Sequence, residues 1–516
     1  MFSTSTPVTA ERFHNRRAEL AKIESAINQL RAGAPTWMAI IGPRKVGKTS
    51  LVLEAVRLAA TPALRVAAID AQETAPVSME LFRQYALRVI DAAFALELGE
   101  SLERSAHMPS VFRRHLQRAP HFTALPEDLR AELLEVVDAQ ADPERVSRWL
   151  HLPELLGEAL DLRFVVAIDE FQQLNALTPQ RHGIEPFTLM RSVWQKHTRV
   201  AYIISGSARS MLLTLVTAEH SPFFQHFAIL DLGPFEYEDA VTLLEQHSAP
   251  KRPISRDLAA RAVEMIGGHP FYLQLLGETM TEQKKAPSLA DLKSACQRLL
   301  FSRTGRLGLY FENEYNRLVG RSGSLAATLT ALASGPIRLS DIAKRIKATS
   351  GATVGYLERL KDAVLKRNDG RYELSDATFG LWLRWRQPGG TVVPMSVVGD
   401  RAEQAVAHTL AAMGFDLVYQ SRASRGAFDL LATRGARQLG IQVKRSVLPL
   451  RFSRAAWSRM EAEAQRLGWV WVVAAVDRED QVTILDPAQA THGDEVRVKP
   501  AATINNLLLW LDQRQP

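Results

Sequence analysis

The 516-residue sequence predicts a multidomain α/β protein built on a parallel sheet. Apolar runs of strand length, TWMAII at 36–41, RVAAID at 65–70, FVVAID at 164–169 and VAYIIS at 200–205, alternate with stretches of helical spacing. That alternation is the pattern of parallel strands joined by helical crossovers. The string GPRKVGKTS at 42–50 stands directly after the first run and directly before an apolar helix. The chain is also several times longer than the roughly 100–200 residues of a usual domain, which points to about three to five domains.

Taken in order, residues 1–12 read as a polar N-terminal arm and 13–232 as the sheet-bearing core. A Leu-, Arg- and Glu-rich helical insertion is expected at about 79–160. Residues 233–317 are helical in pattern, broken by Pro253 and by GGHP at 267–270, and suggest a lid. At 318–390 an Ala/Leu helix, the string LSDIAKRI, a further helix and the hairpin-like KRNDGRYEL suggest a winged helix. A Pro/Gly-rich linker is expected at 391–399, a compact unit of helix, strand, strand, helix and strand at 400–480, and a tail without a distinct pattern at 481–516.

Composition excludes several classes. With 46% hydrophobic and 23% charged residues the chain is globular rather than fibrous or disordered. The one cysteine, Cys296, cannot form an intramolecular disulfide, and no CxxC or Cys/His cluster offers a zinc site. The first thirty residues hold no apolar run of signal length, and VWVVAAV at 470–476 is far too short to span a bilayer. A cytoplasmic location without membrane attachment is expected. The net charge of +7 hints at nucleic acid.

The 42–50 string fits G-x-x-x-x-G-K-[ST], in which Gly42 and Gly47 let the loop through Pro43, Arg44, Lys45 and Val46 curl around phosphate oxygens. Lys48 is expected to reach the β- and γ-phosphates and Thr49 to ligate Mg2+, with Ser50 in the first helical turn. The run FVVAIDE brings Asp169 and Glu170 to the C-terminal edge of the sheet, Asp169 for magnesium and Glu170 for the attacking water. After the next strand come Ser205, Gly206, Ser207, Ala208 and Arg209, where Arg209 is a candidate sensor of the γ-phosphate.

The strings FHNRRAELAKI at 13–23, IDEFQQL at 168–174, SGSARSML at 205–212, LGPF at 232–235 and GGHPFYLQLLG at 267–277, with the phosphate loop, resemble the STAND-class archaeal-type ATPases over about 13–390. The resemblance implies ATP as the nucleotide and a switch rather than a fast motor. It also implies that Arg16 and Pro270 lie beside the adenine.

Near the C-terminus stand Glu403 on an opening helix, Asp429 in RGAFDLLAT, and Gln442 and Lys444 in LGIQVKRS. Phosphodiester hydrolysis needs acidic oxygens that hold a divalent metal and a cation beside them. Residues i and i+2 of a strand share a face, so Gln442 and Lys444 can sit beside Asp429. Asp429, the Val443 carbonyl and Glu403 form the expected metal pocket, with Lys444 as the catalytic cation. The words GAFDLLAT and IQVKR resemble the PD-(D/E)xK nucleases, above all Mrr-type restriction endonucleases and Holliday-junction resolvases, over about 398–476. That resemblance implies a restriction-endonuclease-like fold and a Mg2+ or Mn2+ site; Gln442 departs from it, since an acid is commoner there.

Residues 421–460 hold Arg422, Arg425, Arg434, Arg437, Lys444, Arg445, Arg451, Arg454 and Arg459 against the single acid Asp429, an excess that favours a DNA backbone. Two alternatives stand beside an ATP-controlled nuclease: a nucleotide-gated DNA-binding sensor with an inactive nuclease fold, and a scaffold that homo-oligomerises on ATP. His269 and His408 read as structural histidines, and Trp382 and Trp385 as packing anchors.

Overall fold

In the computed structural model the residues described are all except 1, 3, 5, 73–77, 178–182, 184, 249–251, 283–285, 303, 334, 386–391, 395–400, 416, 422–426, 435–436, 468 and 515–516. Arg422 and Arg425 therefore lie outside them. The chain divides into two compact units, one of residues 3–235 with 269–271, the other of 1–2, 236–268 and 272–516.

The first unit is organised by β1 (Trp37–Ile41), β2 (Leu64–Asp70), β3 (Arg163–Asp169), β4 (Val200–Gly206) and β5 (Phe227–Asp231). Successive side chains of a strand point to opposite faces, and here both sets are apolar. Trp37, Ala39, Ile41, Phe164, Val166, Ile168, Tyr202 and Ile204 enter one core, while Met38, Ile40, Val165, Ala201 and Ile203 enter another. Such strands must be covered on both faces. Helices Arg17–Arg31 and Lys48–Leu58 cover the second face. The first is covered by the helices between β2 and β3: Glu80–Leu98, Pro109–Leu116, Glu127–Glu135 and Pro143–Leu160. The sheet is parallel with strand order β2-β3-β4-β1-β5, so β4 lies between β1 and β3. β5 is an edge strand whose Ala228, Ile229 and Asp231 are exposed.

The second unit begins with helices Tyr237–His247 and Arg256–Ile266, followed after the Gly-Gly-His-Pro break by helix Pro270–Met280, which belongs to this unit from Tyr272 onward, and by Leu289–Phe301 and Arg306–Val319. Ser288 and Asp291 form a reciprocal capping box at the start of Leu289–Phe301. Next come helix Gly323–Leu332, β6 (Ile337–Arg338), helices Leu339–Ile346 and Ser350–Arg359, β7 (Val364–Lys366), β8 (Arg371–Leu374) and helix Ala377–Trp385. The three strands form an antiparallel sheet ordered β6-β8-β7. The Tyr272 hydroxyl donates to Asp376 at 2.6 Å and the Thr378 hydroxyl to the Ile266 carbonyl at 2.7 Å, fastening this part to the helices before it. Trp382 is buried and stacks on Phe379.

A six-stranded sheet follows, built from β9 (Val392–Pro394), β10 (Leu417–Ser421), β11 (Leu430–Arg434), β12 (Arg437–Arg445), β14 (Val470–Val476) and β15 (Val482–Leu485), with order β15-β14-β12-β11-β10-β9. β12 and β14 are parallel and the remaining pairs antiparallel. One face packs on helix Arg401–Ala412 through Ala402, Val406, Ala407 and Leu410. The other bears helix Arg454–Leu467 and a small sheet of β13 (Leu450–Ser453), β17 (Glu495–Val498) and β16 (Thr491–His492), with Trp457 between the rings of Phe452 and Trp471. Two sequence expectations change here. Part of the stretch read as a linker is β9, an edge strand and so able to hold Pro394. The tail at 481–516 is structural: it supplies β15, β16, β17 and helix Leu507–Asp512, whose Leu507 and Leu511 join the core. Among the described residues no helix is long and apolar enough to cross a membrane.

Candidate functional sites

The phosphate loop leaves β1 at Gly42, where a Cβ would stand 2.3 Å from the Leu232 carbonyl oxygen just beyond β5. Only glycine allows that approach. Lys45 and Gly47 take positive φ, 58° and 101°, which bends the loop back onto helix Lys48–Leu58. Val46 is buried in the core below. Lys48 is 6% exposed, and its ammonium donates to the carbonyls of Gly42 at 3.0 Å and Pro43 at 2.9 Å. Burial lowers its pKa, while Asp169 and Glu170 oppose that shift.

Strand order brings the acids to this loop. The Thr49 hydroxyl donates to Asp169 Oδ2 at 2.7 Å, and the Ser205 hydroxyl, from the end of β4, donates to Asp169 Oδ1 at 2.7 Å. These are all oxygen donors, the set a hard cation such as Mg2+ takes. Glu170 adopts a left-handed conformation at φ 51°, and its Oε2 accepts from Gln172 Nε2 at 2.5 Å and from the Ser207 hydroxyl at 2.9 Å. Arg44 Nε also donates to the Ser207 hydroxyl, at 3.2 Å.

Other candidates are placed less directly. Arg16 is 9% exposed; its Nη2 donates to the Gly233 carbonyl at 2.6 Å and its guanidinium lies 4.4 Å from the Phe235 ring centroid. Pro270 follows His269, a buried residue whose Nε2 lies 3.1 Å from the Arg44 carbonyl of the phosphate loop. Burial pushes the pKa of His269 down to about 3, with Arg16, Lys48 and Lys45 adding to the effect, so the ring is neutral and its Nε2–H is assigned as the donor. The Lys45 ammonium sits 4.0 Å from the Phe271 ring centroid. Ser50 turns its hydroxyl to the backbone N–H of Val8, at 3.0 Å. Arg209 pairs with Asp231 at the end of β5, in register with Ile41 just before the loop. The roles of His269, Ser205, Ser207 and Gln172 were not singled out from the sequence, although the signals SGS and GGHP were visible.

In the second unit Asp429 stands just before β11, its N–H bonded to the Ile441 carbonyl at 3.0 Å. Its Oδ2 accepts from the Val443 N–H at 2.7 Å and from the Gln442 amide, whose nitrogen is also 3.4 Å from the Val443 carbonyl. Asp429, Gln442 and Val443 are thus brought together. Lys444 turns aside: its ammonium donates to the Arg451 carbonyl at 3.2 Å and lies 4.7 Å from the Phe452 ring centroid. Glu403 is half-buried on helix Arg401–Ala412. The Asp429 and Val443 oxygens suit magnesium, which takes one or two carboxylates and completes its shell with water and phosphate. Among the described residues no group of three or more acids, histidines or cysteines gathers around a metal position. Arg445 is neutralised by Asp480 at 2.9 Å, and His408 is exposed.

A glycine loop after β1, a buried lysine, and an Asp-Glu pair reached across an intervening strand define the first unit as a P-loop ATPase. Residues 12–182 match the family model of the AAA ATPase domain, so the chain carries an AAA ATPase domain. No curated protein matches the chain. Among solved structures it is similar to a Walker-type ATPase of Pyrococcus abyssi, with 22% identity, 74% of this chain and 99% of that one covered, and a TM-score of 0.51. It is also similar to the ORC2 protein of Aeropyrum pernix, with 14% identity, 74% and 97% covered, and a TM-score of 0.39. The Holliday junction resolvase Hjc of Archaeoglobus fulgidus matches at 17% identity, over 20% of this chain and 96% of that one, with a TM-score of 0.19. Of these three, the first establishes the fold.

Proposed function

We propose that the chain is an ATP-switched, divalent-metal-dependent DNA endonuclease, serving defence against foreign DNA or repair and recombination. The observation that carries it is the presence on one chain of two separate constellations: Lys48, Thr49, Asp169 and Glu170 around the phosphate loop, and Asp429, just before β11, with Gln442 and Val443 on β12. ATP takes the first, with Arg16 and Pro270 toward the base, Mg2+ on Thr49 and Asp169, and Glu170 orienting the attacking water. The bond from His269 to the Arg44 carbonyl ties the Gly-Gly-His-Pro segment to the loop and favours a switch. Residues 323–385 read as a winged helix and 401–512 as a restriction-endonuclease-like domain. There Asp429, the Val443 carbonyl and Glu403 would hold a Mg2+ or Mn2+ ion. A bound ion polarises the scissile phosphate and lowers the pKa of a water. Lys444, released from the Arg451 carbonyl, neutralises charge beside Asp429. A single buried thiol, Cys296, suits a reducing cytoplasmic setting.

The test is plasmid cleavage with magnesium or manganese, with ATP, ADP or no nucleotide. Asp429→Ala and Lys444→Ala are expected to abolish nicking while ATP binding persists, and nicking that survives both would sink the nuclease assignment. A second reading, a domain that grips DNA without cutting it, is favoured by the Gln442 amide, which donates to Asp429 where an acid would serve a metal. DNA binding without nicking would decide for it.

A further inference from the structure

We propose that the exposed face of the small sheet β13-β17-β16 is where the C-terminal domain seats the phosphate backbone of its DNA. This surface presupposes the DNA ligand argued above, but not cleavage. Alternation along the strands buries Leu450, Phe452, Val496 and Val498 and leaves Arg451, Ser453, Glu495 and Arg497 outward. In the register, Arg451 stands directly opposite Arg497, and Arg497 directly opposite Thr491. The two arginine side chains are 61% and 51% exposed.

Like charges placed face to face across an antiparallel pair destabilise a sheet, and nothing in the packing beneath requires arginine at either position. Local rules broken without gain to the fold mark binding surfaces. Glu495 is shared between the two cations at 3.8 and 4.0 Å, the outer reach of an ion pair, so the row remains net positive and open to an anion. Arg454 and Lys499 are exposed at its ends, against one further acid, Asp494, on the turn between β16 and β17. The row also touches the proposed chemistry: the Arg451 carbonyl is the acceptor that holds Lys444 at 3.2 Å. The row and the lysine proposed as catalytic cation thus meet on one strand, β13, with Lys444 on its inner side over the Phe452 ring and the Arg451 side chain on its outer side. Arginine forks and a threonine hydroxyl are the groups that fix a nucleic-acid backbone in register.

The test uses the full chain carrying Asp429→Ala, in EDTA, with fluorescence anisotropy of a labelled DNA duplex over a salt series. Adding Arg451→Ala and Arg497→Ala together is expected to weaken binding about tenfold and to reduce the slope of log K against log salt by about two, one for each phosphate no longer neutralised. Glu495→Gln is expected to tighten binding about threefold, a gain that misfolding cannot imitate. An unchanged melting transition of the C-terminal domain in all variants verifies that its fold is intact. Unchanged affinity and slope in the double variant, or weaker binding in Glu495→Gln, would overturn the assignment. Loss of binding to phosphatidylserine vesicles with DNA affinity retained would reassign the face to a membrane. If the parent protein binds no duplex, the DNA reading itself falls.

Discussion

Lys48 is satisfied by two carbonyls of its own loop, and burial works against its charge while Asp169 and Glu170 support it. A triphosphate offers that ammonium stronger partners, so Lys48→Ala is expected to weaken ATP binding at least about tenfold by calorimetry and to remove hydrolysis. Glu170→Gln should leave binding intact and slow hydrolysis by roughly 10²–10⁴, as loss of a general base does; equal turnover would argue against its role. His269 gives a pH prediction. Its pKa falls from an ordinary 6.5 to about 3, so between those values the unfolded chain binds a proton that the folded chain refuses. Its contribution is fully present above 6.5 and is lost as pH falls toward 3, by about 1.4 kcal/mol per pH unit. His197, buried beside His151 and Lys196 and also pushed down to about 3, adds a slope of the same sign. Melting curves of His269→Gln, which keeps a donor for the Arg44 carbonyl, should show a flatter loss of Tm on acidification. Lys48 and Thr49 were legible because a phosphate loop fixes its own spacing, and Asp169 because it closes an apolar strand run. Ser205, Ser207 and Gln172 were not, because only the sheet order brings the end of β4 between the loop and β3. The pairing of Arg209 with Asp231 was not legible for the same reason, since Asp231 lies on a strand that the sequence did not announce.

Among the elements, β1, β3 and β4, and the edge strand β2 with them, were readable as apolar runs, while the edge strands β5 and β9 were not. β5 exposes three of its five residues and β9 is short and contains Pro394, so neither has a periodicity that separates it from loop. The same holds for β16, whose two residues are both exposed, and for β17, which buries only alternate residues. The aromatic layer behind the C-terminal sheet is different, since its contribution is large and local. Trp457 is 2% exposed and packs against Phe452 and Trp471. Trp457→Ala should cost about 3–5 kcal/mol, read as a lowered denaturation midpoint of the C-terminal transition. Gly42→Ala drives a methyl into the Leu232 carbonyl. It should destabilise the first unit by about 1–3 kcal/mol even without nucleotide, which differential scanning fluorimetry of the nucleotide-free protein would register.

Across the whole molecule the order of parts followed from changes in sequence pattern, but the boundaries near 391 and 481 did not. Pro/Gly-rich composition imitates a linker, and a chain that returns late to complete a sheet leaves no local mark. One connection within the second unit bears on the proposed coupling of nucleotide to DNA. On helix Leu289–Phe301, Lys293 donates to the Phe415 carbonyl at 3.0 Å and Gln297 to the Val418 carbonyl at 3.2 Å. These side chains serve the carbonyls just before and at the start of β10, where β9, paired from Tyr419 onward, does not reach. Lys293→Ala with Gln297→Ala should leave ATP hydrolysis and DNA binding each intact while abolishing the effect of ATP on DNA binding. Persistence of that effect would place the coupling elsewhere.

The glycine beneath the Leu232 carbonyl also bears on how this lineage would look in distant descendants. Because Gly42 is demanded by the backbone that leaves β5 as much as by any phosphate, selection for folding alone would preserve it in a branch that had abandoned nucleotides, while Lys48 and Thr49 drifted. Survival of that first glycine is therefore poor testimony to an ancestral habit, and the lysine six positions later is the witness to question.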